Sequence, residues 1–131
     1  LHDALPILAC LLGQEIKLSH KDSKRDFIFI DDVLDAYIDS SKQANSYGEI
    51  FNIGSGIQYT MDEIVSNIIN LTGKDVNVHF ENNLDRQYEP QMWVSDIKKD
   101  NEKLNWKPKV EIKVGLNNTI EWFKDNLQFY R

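Results

Sequence analysis

Two arginines carry the clearest chemical potential in this chain. Arg25 immediately precedes an apolar, strand-like run, and Arg86 lies in a long polar segment. A guanidinium can grip a phosphate through two parallel N–H donors, a geometry that lysine does not reproduce. Taken alone, each is a surface arginine; a phosphate role requires other residues to place both side chains around one cavity. Four carboxylates, Asp31, Asp32, Asp35 and Asp39, crowd a second segment, and two of their intervals are the four-residue step that aligns side chains on a helix. Metal binding is the sharper interpretation of this cluster. Divalent sites, however, usually need ligands converging from elsewhere in the chain. The preferred assignment is that Asp31 and Asp32 complement the positive end of a helix while Asp35 and Asp39 occupy its solvated face. His2, His20 and His79 are scattered singly without the spacing of zinc ligands, so no metal is expected.

The segment Asn52-Ile53-Gly54-Ser55-Gly56 places two glycines after a strand-like run and before a helix-like one, superficially a dinucleotide-binding turn. The third glycine of that fingerprint would fall at Tyr59, so close packing on a pyrophosphate is not supported and a plain turn is the better account. Cys10 lies in an apolar stretch without a neighbouring base, where a thiol packs as a small hydrophobe. Core filling is its expected role.

These residues sit in a chain of 131 residues, 41% hydrophobic and 27% charged, which suits one soluble globular domain and excludes any large enzyme. A formal charge of -6 repels nucleic acid phosphates and acidic membrane surfaces alike. Neither nucleic acid nor membrane is therefore an expected partner. The longest apolar run, residues 4–12, is interrupted by Pro6 and is about half of the ~20 residues that a membrane-spanning helix requires. A single cysteine forms no internal disulfide and suits a reducing compartment, so a cytoplasmic location is expected. Residues 1–7, LHDALPI, resemble the translated end of a sequencing adapter and are set aside from functional reasoning as a non-native segment.

The elements that must position the candidate residues alternate between strand and helix patterns. Residues 15–18 and 26–30 are expected as short strands, the second rich in Phe and Ile with almost no alternation, as for a strand covered on both faces. Asp31 or Asp32 is expected to cap a helix reaching Gln43, with Val33, Leu34, Tyr37 and Ile38 forming a stripe that faces the sheet. Residues 49–53, EIFNI, form a further compact apolar strand. Thr60 and Glu63 have the spacing of a capping box that opens the next helix. Ile64, Val65, Ile68, Ile69 and Leu71 form its buried face, and Gly73 stands where a left-handed residue ends it. A strand over residues 76–80 follows, then loop residues 82–90. Ser95 or Asp96 caps a short helix to Asn105, and a last helix over 111–126 carries the stripe Leu116, Ile120, Phe123 and Leu127. Strands separated by helices imply an α/β layer with largely parallel pairing, because parallel neighbours need a crossover.

Five motifs occur in order: Arg25-Asp26-Phe27-Ile28-Phe29-Ile30-Asp31-Asp32-Val33; Gly48-Glu49-Ile50-Phe51-Asn52-Ile53-Gly54; Arg86 with Glu89; Trp93-Val94-Ser95-Asp96 with Lys98; and Leu104-Asn105-Trp106-Lys107-Pro108. In these, from Leu12 to Phe123, the chain resembles the C-terminal part of extended short-chain dehydrogenases/reductases, the NAD-dependent epimerase/dehydratase family acting on nucleotide-linked sugars. The resemblance implies an α/β fragment of a Rossmann-like enzyme, the small substrate-binding part, with short strands and about four to five helices over residues 8–131. The N-terminal Rossmann domain would be absent, and would be the partner that holds NAD(P) in the parent enzyme. Arg25 and Arg86 look like the family's substrate-diphosphate contacts, Glu89 like a partner for the nucleotide's ribose, and Asn52 like a structural support. The ligand implied is a nucleotide-diphosphate sugar, with no cofactor bound by this fragment.

Departures from the family pattern matter as much. The early glycine-rich cofactor turn is missing, and none of the 5 tyrosines is followed four residues later by lysine, so the catalytic Tyr-Lys pair is absent. The fragment alone is expected to be inactive, and its function is grip and alignment of the non-reacting end of the substrate. The competing account is a stand-alone, non-catalytic α/β module that binds a nucleotide or another protein. A strand built to join a larger sheet would leave an open edge and a marginal fold.

Overall fold

The computed structural model describes residues 5–19, 21–81 and 92–130. The chain order is α1 (Leu5–Leu12), β1 (Ile16–Ser19), β2 (Lys24–Asp26), α2 (Ile30–Lys42), a 3-10 turn (Ala44–Ser46), β3 (Gln58–Thr60), α3 (Met61–Thr72), β4 (Val78–Glu81), α4 (Lys98–Leu104), α5 (Ile112–Asp125) and a second 3-10 turn (Leu127–Phe129). This is the mixed α/β architecture with short strands that the sequence implies. It divides into two compact units.

The described residues of the first unit fall within 1–23, 60–91 and 116–131. Its sheet is the parallel pair β1–β4, with Ile16 opposite Val78 and Leu18 opposite Phe80. The helix α3 begins as the sequence requires: Thr60 Oγ1 accepts the Glu63 N–H at 3.1 Å, and Glu63 Oε2 accepts the Thr60 N–H at 2.7 Å. It ends at Gly73, which takes φ 64 and returns its N–H to Ile69 O at 2.9 Å; this conformation suits a residue with no Cβ. Ile64, Val65 and Ile68 form the buried face of α3, and Ile7, Cys10, Ile16, Ile120 and Phe123 are buried in the same unit. Cys10 is fully enclosed, its Sγ 3.0 Å from Thr72 Oγ1, and fills core space as expected.

The second unit comprises residues 24–59 and 92–115. Its core is Ala36, Leu104 and Trp106, with Ile28, Phe51 and Ile53 packed against it. Here the structure corrects several expectations. The strand expected over 26–30 is β2, residues 24–26, which pairs with β3; residues 27–29 leave the ladder and α2 starts at Ile30. Residues 49–53 form no strand. An apolar run becomes a strand only where a neighbour takes up its N–H and C=O groups, and hydrophobicity alone does not supply one. The side chains of Phe51 and Ile53 still reach the core.

The stripe of α2 is also corrected. Leu34, Tyr37 and Ile38 are 51%, 71% and 51% exposed, and the buried positions are Asp32 and Ala36. Helix α2 carries apolar residues around more than one side, so its neighbours decide which side turns inward, and α4 packs on it. Its N-cap is Phe29, which makes no side-chain capping bond; Asp31 and Asp32 fall inside the first turn. Helix α4 starts at Lys98 after Ile97; of the two expected caps, Asp96 Oδ1 accepts the Lys98 N–H at 3.0 Å, whereas Ser95 spends its hydrogen bonds elsewhere. Among the described residues, no helix is long and apolar enough to cross a membrane.

Candidate functional site

Strand β2 carries Arg25 and Asp26 as successive residues, which in a strand point to opposite faces. The Asp26 carboxylate gathers four donors from two distant segments. Oδ1 accepts the Ser55 N–H at 2.8 Å and the Ser55 hydroxyl, while Oδ2 accepts the N–H groups of Gly56 and Ser95, each at 3.0 Å. The Ser95 hydroxyl donates to the backbone carbonyl of Asn52. Gly54 lies at the centre of this knot. A Cβ there would stand 2.4 Å from Ser95 Cβ and 2.7 Å from Asp26 Oδ2, so only glycine fits. Met92 bridges Lys24 in parallel register, and the Trp93 N–H reaches Lys24 O at 3.2 Å, so the 92–95 segment runs along β2.

Arg25 is thus fixed through its strand. Its side chain is half-buried, and Nη1 donates to Lys24 O at 2.8 Å. Asn52 enters the same neighbourhood through its backbone. Arg86, Glu89 and the loop 82–90 lie outside the described residues. Of the residues singled out in the sequence, Asn52 meets the Asp26 knot through its backbone carbonyl and Ser95, while Arg25 neighbours the knot only along its strand.

The glycine turn at 54–56 does not fit a dinucleotide. A pyrophosphate would need its backbone N–H groups, and those of Ser55 and Gly56 already end on the Asp26 carboxylate.

A second carboxylate clasp lies at the start of α2. Asp32 is 2% exposed; Oδ1 accepts the Lys109 N–H at 2.9 Å and Oδ2 the Val110 N–H at 3.0 Å, while its backbone carbonyl accepts the Trp106 indole N–H at 3.2 Å. The expectation that Asp32 merely complements a helix end is corrected: it is buried because it satisfies the chain that follows Pro108. Asp35 meets expectation only partly, since it pairs with Lys109 Nζ at 2.6 Å, a bond that pushes the lysine pKa up. Asp39 pairs with Lys42 at 3.8 Å, and Asp31 stays exposed.

Glu49 forms a third anchor. Lys103 and Lys99 both reach its carboxylate, Lys99 at 2.9 Å, and Lys99 Nζ also donates to Ile50 O at 2.6 Å and stands 4.9 Å from the centre of the Phe51 ring. The hydrogen bond from Lys103, then that from Lys99, and then their charges hold the Glu49 carboxyl at about 2, below its ordinary 4.5. A depressed carboxyl pKa stabilises the fold above the unfolded value, and this stability is lost as pH falls through the folded one. The 49–51 segment is therefore expected to loosen between pH 4.5 and about 2 in the wild type, whereas Glu49→Gln abolishes that acid transition. Amide exchange of residues 49–53 across this interval checks it; identical profiles for both proteins would refute the clamp.

The sequence assigns Asp26 no role and gives Asp32 only the start of its helix. A signal existed for Asp26: a lone carboxylate in Arg25-Asp26-Phe27-Ile28-Phe29-Ile30 must find donors if the run is covered.

The family model described as GDP-mannose 4,6 dehydratase matches residues 5–119. UDP-glucuronate 4-epimerase of Thermodesulfobacterium geofontis is 31% identical over 108 residues, covering 82% of this chain and 32% of the relative. The dTDP-D-glucose 4,6-dehydratase of Homo sapiens is 30% identical over 112 residues, 82% of this chain and 31% of the relative. Among solved structures, UDP-glucose 4-epimerase of Thermotoga maritima with UDP-glucose superposes with a TM-score of 0.87 at 29% identity, over 95% of this chain and 39% of the other. UDP-glucuronic acid 4-epimerase of Bacillus cereus, in complex with UDP-glucuronic acid and NAD, gives 0.83 at 25% identity, over 92% and 38%. The chain spans about a third of the length of the curated relatives it matches.

Proposed function

This chain belongs to the NAD-dependent epimerase/dehydratase family, and from that premise we propose that it is the substrate-gripping portion of a nucleotide-sugar epimerase or dehydratase, with Arg25 and Arg86 holding the diphosphate and Glu89 the ribose. The observation that carries this reading is the position of Arg25. It stands on a strand whose opposite face Asp26 ties to two other segments, in a chain whose solved relatives include one with UDP-glucose and one with UDP-glucuronic acid.

A guanidinium presents its N–H donors in a preformed planar fork, so less freedom is lost per hydrogen bond to phosphate than with lysine. The energy comes from the end of the substrate that does not react and orients the sugar for the chemistry. NAD(P) supplies hydride chemistry in such enzymes. The Ser55 and Gly56 N–H groups of the turn at 54–56 are taken by Asp26, which supports a cofactor held by a further part of the enzyme. The exposed faces of Leu34, Tyr37 and Ile38 on α2, with Ile50 at 81% exposure, support the same division: an apolar surface of this kind is normally covered by a partner, here the Rossmann portion.

The test is titration of the chain with UDP, dTDP and GDP, followed by calorimetry and amide shifts. Arg25→Ala is expected to weaken binding by about 1.5–3 kcal/mol, roughly ten- to a hundredfold. Arg25→Lys restores less than half of this, because the ammonium cannot bind two phosphate oxygens in parallel. Equal affinities for wild type and Arg25→Ala would reject the assignment, and no binding to any of the three nucleotides would favour a protein-binding module.

A further inference from the structure

Helix α4 has two buried positions one turn apart, 100 and 104, and this face packs toward α2 and the 3-10 turn Ala44–Ser46. Leu104 suits such a face. Asp100 does not: it is completely enclosed, and neither carboxylate oxygen has a hydrogen-bond partner among the described residues. This contrasts with Asp26 and Asp32, each surrounded by backbone donors. An ionised carboxylate without donors is far costlier to bury than a neutral acid, so an enclosed, unpartnered position selects the protonated form.

The charged groups around Asp100 do not neutralise it. On its own helix Lys99 is engaged with Glu49 and Ile50 O, Lys103 with Glu49, and Lys98 with Glu102 at 3.9 Å. The turn Ala44–Ser46 contains no titratable residue. On α2, Asp39 pairs with Lys42 and Asp35 with Lys109, while the Asp32 carboxylate is taken by backbone N–H groups.

We propose that Asp100 is a pH-sensitive catch: as the neutral acid it lets α4 seat against α2 and the Ala44–Ser46 turn, and on losing its proton to solvent it releases α4, together with the Lys99 and Lys103 ammonium groups that hold residues 49–51. Burial pushes the Asp100 carboxyl above its ordinary 3.8; its own backbone N–H, the one donor near it among the described residues, and then the Lys99 charge oppose the shift, and Asp96 adds to it. A raised carboxyl pKa works in the opposite sense to that of Glu49. Its stabilising contribution is complete below the unfolded value and is lost as pH rises through the folded one. Glu49 itself stays ionised across that interval because its own carboxyl titrates near pH 2, so loosening of residues 49–51 there follows the release of α4 and not the titration of Glu49. The catch stands independently of any nucleotide-sugar role.

The experiment compares the full wild-type chain with Asp100→Asn and Asp100→Leu from pH 4 to 8. Two quantities are followed: protection factors of the amides at 98–104 and 49–53, and the carbon-13 shift of the Asp100 carboxyl. In the wild type, protection in both segments is expected to fall at least about tenfold as the carboxyl ionises. Both variants are expected to show no such fall; Asp100→Leu, which fills the site with an apolar group, serves where the Asn variant does not fold. A carboxyl titrating at or below its ordinary value, or a pH profile shared by wild type and variants, would overturn the proposal.

Discussion

Asp26→Ala is expected to destabilise the second unit by about 3 kcal/mol, the loss of a charged acceptor that serves two partly buried backbone donors, the exposed Gly56 N–H and the Ser55 hydroxyl. The estimate is held below the sum of four separate bonds because water reaches part of the turn; Gly56 is exposed. Asp26→Asn is expected to recover little. Its amide group would turn N–H donors toward N–H donors, and the remaining oxygen cannot serve both segments. Glutamate is no substitute either, since Gly54 and Ser95 leave no room for a displaced carboxylate. Urea unfolding followed by amide exchange at 52–56 and 92–95 measures the effect. A loss under about 1 kcal/mol would mean that the knot is incidental.

Trp106→Ala should lower stability by about 3–5 kcal/mol, the range for emptying an aromatic position in a packed core. Trp106 is 1% exposed among Ala36 and Leu104, with Ile28, Phe51 and Ile53 against the cluster. The substitution also removes the indole N–H from the Asp32 carbonyl, which loosens the same carboxyl-bearing residue that secures Lys109 and Val110. Trp106→Phe separates the two contributions, keeping most of the volume and losing only the hydrogen bond, for about 1–2 kcal/mol in all. Exchange of the α2 and α4 amides is the appropriate readout, because two compact units need not unfold together. A result for alanine no larger than that for phenylalanine would show that the site collapses around the missing ring.

Both substitutions fall on residues that lie in the ordered motifs, yet neither was among the sequence candidates for function. Arg25 was singled out because a guanidinium has an obvious chemistry; Asp26, beside it, does not reveal its partners until residues 55, 56 and 95 are folded onto it. The same applies to Asp32, whose carboxylate spacing alone groups with Asp31, Asp35 and Asp39. Spacing places these four on one helix, as they are in α2. It carried no information on which of them would be covered by a segment more than seventy residues later.

What the sequence by itself determined is what local physics decides. The Thr60–Glu63 box, the left-handed Gly73, the buried face of α3 and the enclosed Cys10 follow from interactions within a few residues or from side-chain character. The alternation of helices with short strands, and the ordered motifs that place the chain in its family, were legible for the same reason. Tertiary structure decided which extended runs become strands, which side of α2 turns inward, and which carboxylates are sheltered with donors, as Asp26 and Asp32 are, or without them, as Asp100 is. Those outcomes depend on groups far apart in the chain: a strand exists only beside another, and a buried charge is tolerable only where distant backbone supplies its hydrogen bonds.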